Sequence, residues 1–355
     1  MLKDRRSRLD RFFETYALDA ILITDLRNVR YLCGFSGSDG ALLVLHSKSY
    51  FLCDSRYTTQ AGDEVPEAEV RECAVRLDAL AALTAEYGIT RLGFEAVHTN
   101  LSDFRKMADR LTGIELVEIG PAIDEIRSCK DREEVERLKI VASLASRALS
   151  DVLMHVRHGV SELDIALELE LEMRRRGADG KAFDFIVASG VRGAMPHGRA
   201  SGKLIRQGEL ITVDFGAIKD GYHSDETVTV SCGKPGSREK EIHAIVRDAH
   251  DLAIEAVTPG ISCRALDAVA RDYIVRHGYG DYFGHGIGHG VGLDIHEKPT
   301  VSPRSDAVLE EGMVITIEPG IYIPGFGGVR IEDTVLVTAD GCQILTSADK
   351  RLQIL

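Results

Sequence analysis

The sequence predicts an α+β protein of two domains: a smaller α/β unit over residues 1–125, then a larger unit over 126–355 in which one plan of helices and hairpin occurs twice. Three observations lead there. Short apolar runs alternate with segments of helical period as far as residue 119; a long, well-capped amphipathic pattern opens at residue 131; and the stretch beyond it aligns with itself at a spacing of roughly a hundred residues. At 355 residues the chain is long for one domain and can enclose one small and one larger core.

The strand-like runs of the first unit are AILIT at 20, ALLVLH at 41, YFLC at 50, RLGFE at 91 and IELVEI at 114. Between them, Leu77–Glu86 and Leu101–Leu111 carry apolar residues at helical spacing. Residues 121–130 read as a connection. Asp131 then offers a side-chain cap, and Glu133 and Glu134 set negative charge against the positive helix end. Val135, Leu138, Ala142, Leu149, Val152 and Val156 line one face of that helix.

The two copies can be followed element by element. One long helix ends at Gly159-Val160-Ser161 and the other at Gly260-Ile261-Ser262; each Ser can cap a further helix, and those end near Gly177 and Gly278. GELITVDFGA at 208–217 matches GMVITIEPGI at 312–321, and GYHSDETVTV at 221–230 matches GVRIEDTVLV at 328–337. Asp214 therefore corresponds to Glu318, and Asp225 to Glu332. Each copy reads as a hairpin with one acid per strand, so a pseudo-two-fold packing would gather four carboxylates at one centre. Any one of these acids alone would pass for a solvated strand end; the matched pairs do not.

Four converging carboxylates cannot all stay ionised in a half-buried place: either they take up protons or cations neutralise them. A metal centre is the simpler reading. Between the hairpins lies GHGIGHGVG, residues 284–292, with His296 close behind. His285 and His289 are four apart, but five glycines in nine residues oppose a helix. They fit a close approach of backbone to a ligand or a neighbouring strand. A histidine cluster between acid-bearing hairpins points to a site rather than to packing.

The 56 acidic against 43 basic residues give a net charge of −13, the wrong sign for a protein whose affinity comes from neutralising phosphates. Nucleic acid is not an expected partner. Seven scattered cysteines with no Cys-x-x-Cys pair argue against a disulfide framework and a structural zinc site. The charged start, MLKDRRSRLD, lacks the apolar core of a secretory signal and no run reaches membrane-spanning length, so a cytoplasmic protein with no membrane partner is expected.

Asp214-x10-Asp225, HGIGH at 285–289, TIEPGIY at 316–322 and VRIEDT at 329–334 resemble the pita-bread metallopeptidase family, which includes methionine aminopeptidases, prolidases and aminopeptidase P. The resemblance implies a creatinase/prolidase-like α/β domain followed by a pita-bread domain, a curved sheet backed by helices with the site in its concave face. It implies two divalent ions held by Asp214, Asp225, His289, Glu318 and Glu332. Asp225 and Glu332 would bridge them, His289 and Glu318 would complete one ion, and Asp214 would hold the other. Glu318 would shuttle a proton. His197, in SGVRGAMPHGRAS at 189–201, and His285 and His296 match the family's non-ligand histidines, which hold substrate carbonyls; Arg330 would brace the acid at 214. One imidazole and four carboxylates make an oxygen-rich site that suits Mn(II) best, with Co(II), Zn(II) or Fe(II) as alternatives. The sequence departs from the family pattern at Arg192-Gly193 and at 198–201, and Val228 stands where many relatives carry Arg.

An Xaa-Pro bond has no N–H and a ring that fixes its geometry, so it needs a dedicated pocket. The N-terminal domain and Arg330 point to a proline-directed member. So does the similarity of YLCGFSGSDGALLV at 31–44 and DSRYTTQA at 54–61 to short bacterial aminopeptidase P proteins. The activity these imply is that of an Xaa-Pro aminopeptidase on proline-containing peptides. The alternative is an Xaa-Pro dipeptidase, a prolidase, in which Arg304 would hold the proline carboxylate. Creatinase-like hydrolases and peptide-binding relatives lack ligands that are all present here. The resemblance also implies a homodimer.

Overall fold

In the computed structural model, which describes residues 2–355, the chain divides into two compact units, Met1–Arg127 and Ser128–Leu355. The first is built on a six-stranded mixed sheet. Its strands in chain order are Ala20–Ile23, Ala41–Leu45, Ser49–Cys53, Glu69–Glu72, Arg91–Phe94 and Glu115–Glu118, and across the sheet they run fourth, third, second, first, fifth, sixth. The first three pair antiparallel and the pairs outside them are parallel. Five of the six coincide with apolar runs. The edge strand Glu69–Glu72 is polar and mostly exposed, which blunts an edge against further pairing and leaves no apolar signal in the sequence.

The second unit carries the repeat as two helix pairs and two hairpins. Asp131 caps Arg132–Leu153 in a capping box, its carboxylate accepting from the Glu133 and Glu134 amides while Glu134 Oε2 accepts from the Asp131 amide at 3.0 Å. Ser161 and Ser262 cap Glu162–Arg175 and Cys263–Arg276. Ahead of those caps Gly159 and Gly260 sit at φ 87° and 89°, and their amides donate to the carbonyls of Ile205 and Leu309. The correspondence of the copies therefore extends to the backbone. Alanine at either glycine would hold a side chain in the left-handed region, so each substitution is expected to lower the unfolding free energy by about 1–2 kcal/mol in a urea titration. No loss would mean that the turn relaxes out of that conformation.

In the first copy Leu210–Phe215 lies between Ile186–Ser189 and Glu226–Ser231, all antiparallel. In the second, Val314–Ile317 and Asp333–Thr338 pair at the centre of a five-stranded antiparallel sheet, with Gly288–Gly290 and then Glu297–Val301 on one side and Gly341–Ile344 on the other. The two registers are not identical: Thr227 lies opposite Asp214, whereas its counterpart Thr334 lies opposite Thr316. That is an offset of two residues, and an even offset keeps every side chain on its face of the sheet. The hairpins meet where Thr227 and Glu332 bridge, the Glu332 amide donating to the Thr227 carbonyl at 3.1 Å. Beneath the second sheet, Val246, Ala249 and Leu266 from the helices pack in one core with Ile315, Ile317 and Val335. Among the described residues no helix is long and apolar enough to cross a membrane.

Candidate metal centre

Strand periodicity decides which acids meet. Asp214 stands near the end of Leu210–Phe215, Asp225 just before Glu226–Ser231, Glu318 just after Val314–Ile317 and Glu332 just before Asp333–Thr338. His289 is the middle residue of Gly288–Gly290. A Cβ on Gly288 would collide with the Thr316 carbonyl and one on Gly290 with that of Lys298, so only glycine lets the histidine strand fit between its two neighbours. One potential ligand atom from each of Asp225, His289 and Glu332 lies within 4.8 Å of the others. His289 Nε2 is 3.6 Å from Asp225 Oδ2 and 3.5 Å from Glu318 Oε1. Its Nδ1 faces the Gly290 carbonyl at 3.0 Å, which assigns the ring proton to Nδ1 and turns the Nε2 lone pair toward the acids.

The electrostatics of the cluster are those of too many acids in too little water. Burial pushes Asp225 well above the usual carboxylate range, and the charges of Glu332, Asp214 and Glu318 push it further. Glu332 is raised by burial and then by Glu318 and Asp214. Burial carries Glu318 up to about 8, with Arg330 pulling down and Asp214 adding to the rise. Burial lowers His289 to about 4, so its imidazole is neutral at physiological pH. Asp214 Oδ2 accepts from Arg330 Nη2 at 2.5 Å, while its Oδ1 is buried with no hydrogen-bond partner among the described residues. A neutral imidazole nitrogen, carboxylates that repel one another and a buried unpartnered carboxylate oxygen together fit divalent cations.

Arg330 is buried behind this cluster. Its Nη1 donates to Tyr322 OH at 3.0 Å and to the Pro196 carbonyl at 3.1 Å, and its Nε to Thr227 Oγ1 at 3.3 Å. Tyr322 OH in turn lies 2.9 Å from His285 Nε2, and His285 Nδ1 lies 2.7 Å from the Gly286 carbonyl. Both nitrogens of His285 are thus engaged by the protein. The His296 ring stands edge-on to that of His289, with centroids 4.4 Å apart. His296, His197 and Arg304 are exposed, the last in a turn after Glu297–Val301.

Family models bear on this arrangement directly: that of metallopeptidase family M24 matches residues 136–339, and that of the creatinase/prolidase N-terminal domain matches 5–129. The chain belongs to metallopeptidase family M24. Along its whole length this M24 chain is similar to the Xaa-Pro dipeptidase of Pyrococcus furiosus, 37% identical over 99% of this chain and 100% of that one. Its fold is similar to that of an Xaa-Pro dipeptidase from Bacillus anthracis, with a TM-score of 0.98, 41% identity and 100% of both chains covered. An X-Pro aminopeptidase from Thermotoga maritima gives a TM-score of 0.92 and 38% identity over 96% of this chain and 98% of that one. The membership implied by the motifs therefore holds. The protein is a hydrolase of a family that works with divalent metals, and its fold is the α+β arrangement read from the sequence.

Four positions of this M24 chain escaped sequence reasoning. Tyr322 joins Arg330 to His285. Thr227 Oγ1 donates to Glu332 Oε2 at 2.6 Å, and Thr316 Oγ1 accepts from the His289 amide at 3.1 Å. A signal for the threonines was available: in the aligned copies Thr316 matches Thr212 and Thr227 matches Thr334. The fourth is Glu162, wholly buried, which accepts from the Ser189 amide at 2.8 Å, Arg192 Nε at 2.9 Å and Ser201 Oγ at 2.7 Å. Arg192 and Ser201 are two of the positions that depart from the family pattern. The departures are therefore linked, fastening both ends of the segment that carries His197 to one carboxylate.

Proposed function

We propose that the protein is a metal-dependent Xaa-Pro dipeptidase, working with two divalent ions, Mn(II) by preference. The observation that carries the reading is the convergence of Asp225, His289 and Glu332 to within 4.8 Å, with Glu318 against His289. That donor set supports hydrolysis. Full-length similarity to proteins named Xaa-Pro dipeptidase supports the dipeptide as substrate. The aminopeptidase reading, which led in the sequence, becomes the second, on the strength of the likeness to the Thermotoga maritima enzyme.

Asp214, Asp225, His289, Glu318 and Glu332 would hold the ions. Bound there, the ions would polarise the scissile carbonyl and favour deprotonation of the attacking water. Glu318, 3.5 Å from His289 Nε2, would accept that proton and return it to the proline nitrogen as the C–N bond breaks. Arg330 fixes Asp214 and, through Tyr322, the ring of His285. The exposed rings of His197 and His296 are free to turn toward substrate carbonyls. His285 can do so only by exchanging its bond to Tyr322 or to Gly286.

The test is hydrolysis by the Mn(II)-reconstituted protein of Xaa-Pro and Xaa-Pro-Yaa, with Xaa-Ala as control. Faster cleavage of the dipeptide is expected, with Arg304→Ala raising its KM about 3- to 10-fold by loss of a charge-assisted contact to the proline carboxylate. Preference for the tripeptide, unaffected at Arg304, would make the enzyme an aminopeptidase. No cleavage of either peptide by protein carrying metal would overturn the substrate assignment.

A further inference from the structure

The acids next to two of the candidate ligands point the other way. Asp225 and Glu332 belong to the metal cluster. Glu226 and Asp333, one residue on, face the opposite side of the same strands, where both are buried. They correspond in the repeat just as Asp225 and Glu332 do, so a second acid pair, one from each copy, sits behind the first. One ammonium lies between its members. Lys350 Nζ is 2.7 Å from Glu226 Oε1 and 3.1 Å from Asp333 Oδ1, with its side chain 11% exposed.

The surroundings complete this pair rather than leave it open. Glu226 accepts from Ser146 Oγ at 2.5 Å and from the Ala348 amide at 2.8 Å; Asp333 accepts from Thr346 Oγ1 at 2.6 Å and lies 3.3 Å from His250 Nε2. The segment that brings Lys350 is itself laid along both hairpins. The Leu345 amide donates to the Thr334 carbonyl, the Ser231 amide to the Gln353 carbonyl and the Leu355 amide to the Ser231 carbonyl. A buried ion pair is a weak source of stability, because desolvation offsets its attraction, but it does fix the groups it joins.

We propose that Lys350 is a positioning residue of the metal centre: held between Glu226 and Asp333, it sets from behind the distance at which the two strands present Asp225 and Glu332, and so tunes the affinity for divalent ions. The inference rests on the metal-centre reading above. It also has a distinctive sign. Acting through space alone, a nearby ammonium repels cations, and its removal would tighten metal binding. Acting through geometry, its removal loosens it.

Calorimetric titration of Mn(II) into the chelator-stripped full-length protein distinguishes the two, with circular dichroism on each variant to establish folding. Lys350→Met is expected to weaken Mn(II) binding about 10- to 100-fold, the scale on which residues that orient metal ligands act, and Lys350→Arg to recover most of the loss. Should Lys350→Met fail to fold, Lys350→Met/Glu226→Gln carries the same expectation, since one remaining acid then faces His250. Affinity in the folded variant equal to or tighter than wild type overturns the proposal alone. Absence of Mn(II) uptake by the wild type overturns the metal-centre reading, and the proposal with it.

Discussion

Asparagine at position 225 is expected to lower kcat/KM for an Xaa-Pro dipeptide about a hundred- to a thousandfold, the scale of losing one strong electrostatic stabiliser, and yet to raise the melting temperature of the chelator-stripped protein. The two effects have one cause. Asp225 is buried, and the charges of Glu332, Asp214 and Glu318 all bear on it. Without cations its ionisation is opposed by burial and by three neighbours; an amide of the same shape removes that opposition. The backbone anchor survives the change, since Thr334 Oγ1 donates at 2.7 Å to the carbonyl of residue 225 rather than to its side chain. As a ligand, however, asparagine offers a neutral oxygen in place of a charged carboxylate. Steady-state kinetics and scanning calorimetry with and without chelator measure both quantities. A residue held for structure alone would lose activity and stability together, so a stripped variant that melts below the wild type would sink the ligand assignment.

The sequence made the acids legible because they carry a charge at matched places in two copies of one hairpin, and burial cannot hide a repeat of that kind. Strand alternation also sorts them. Read one residue at a time, DE at 225–226 and ED at 332–333 offer four acids to one site; the sheet sends Asp225 and Glu332 to the cluster and Glu226 and Asp333 behind it. That sorting follows from period two, yet Lys350 could not be foreseen, because it arrives from a segment with no strand or helix pattern of its own. Tyr322 and Thr227 were hidden for the opposite reason, since both lie within strands, Gly320–Ile323 and Glu226–Ser231. Neutral residues with high strand propensity look like sheet filler until a buried arginine is found using them. The glycines of 284–292 were legible as a demand for close approach, but the neighbours they approach, the carbonyls of Thr316 and Lys298, became visible only with the sheet order. In the first unit the polar edge strand Glu69–Glu72 is the counterpart failure: it is held by ladder hydrogen bonds to Ser49–Cys53 and buries too little to leave a pattern.

Chelator-stripped wild-type protein is expected to lose stability as the pH rises from about 6.5 to about 8, and metal-loaded protein is expected to hold it. The signs come from two opposed sets of groups. Asp225, Glu332 and Glu318 have folded pKa values above their ordinary ones, so the folded state binds more protons than the unfolded; the stability they lend is present at low pH and lost as pH rises, for Glu318 through about 8. His285 and His289 are held down to about 4 by burial, so below their ordinary value of 6.5 the unfolded chain binds the extra protons and stability falls toward acid. The sets oppose each other below 6.5, and above it the carboxyls act against no such counterweight. His250, kept above its usual value by Asp251 and Asp333 in spite of burial, titrates with the same sign, but it does so in both forms of the protein and drops out of their difference. With cations in place the carboxyls are ionised and neutralised in the folded state, binding releases protons, and the fall across the window disappears. Melting temperatures measured across that range, with chelator and with excess Mn(II), should therefore diverge as pH rises. Parallel profiles would mean that the cluster keeps its protons when metal is present, in which case its carboxylates are not the ligands.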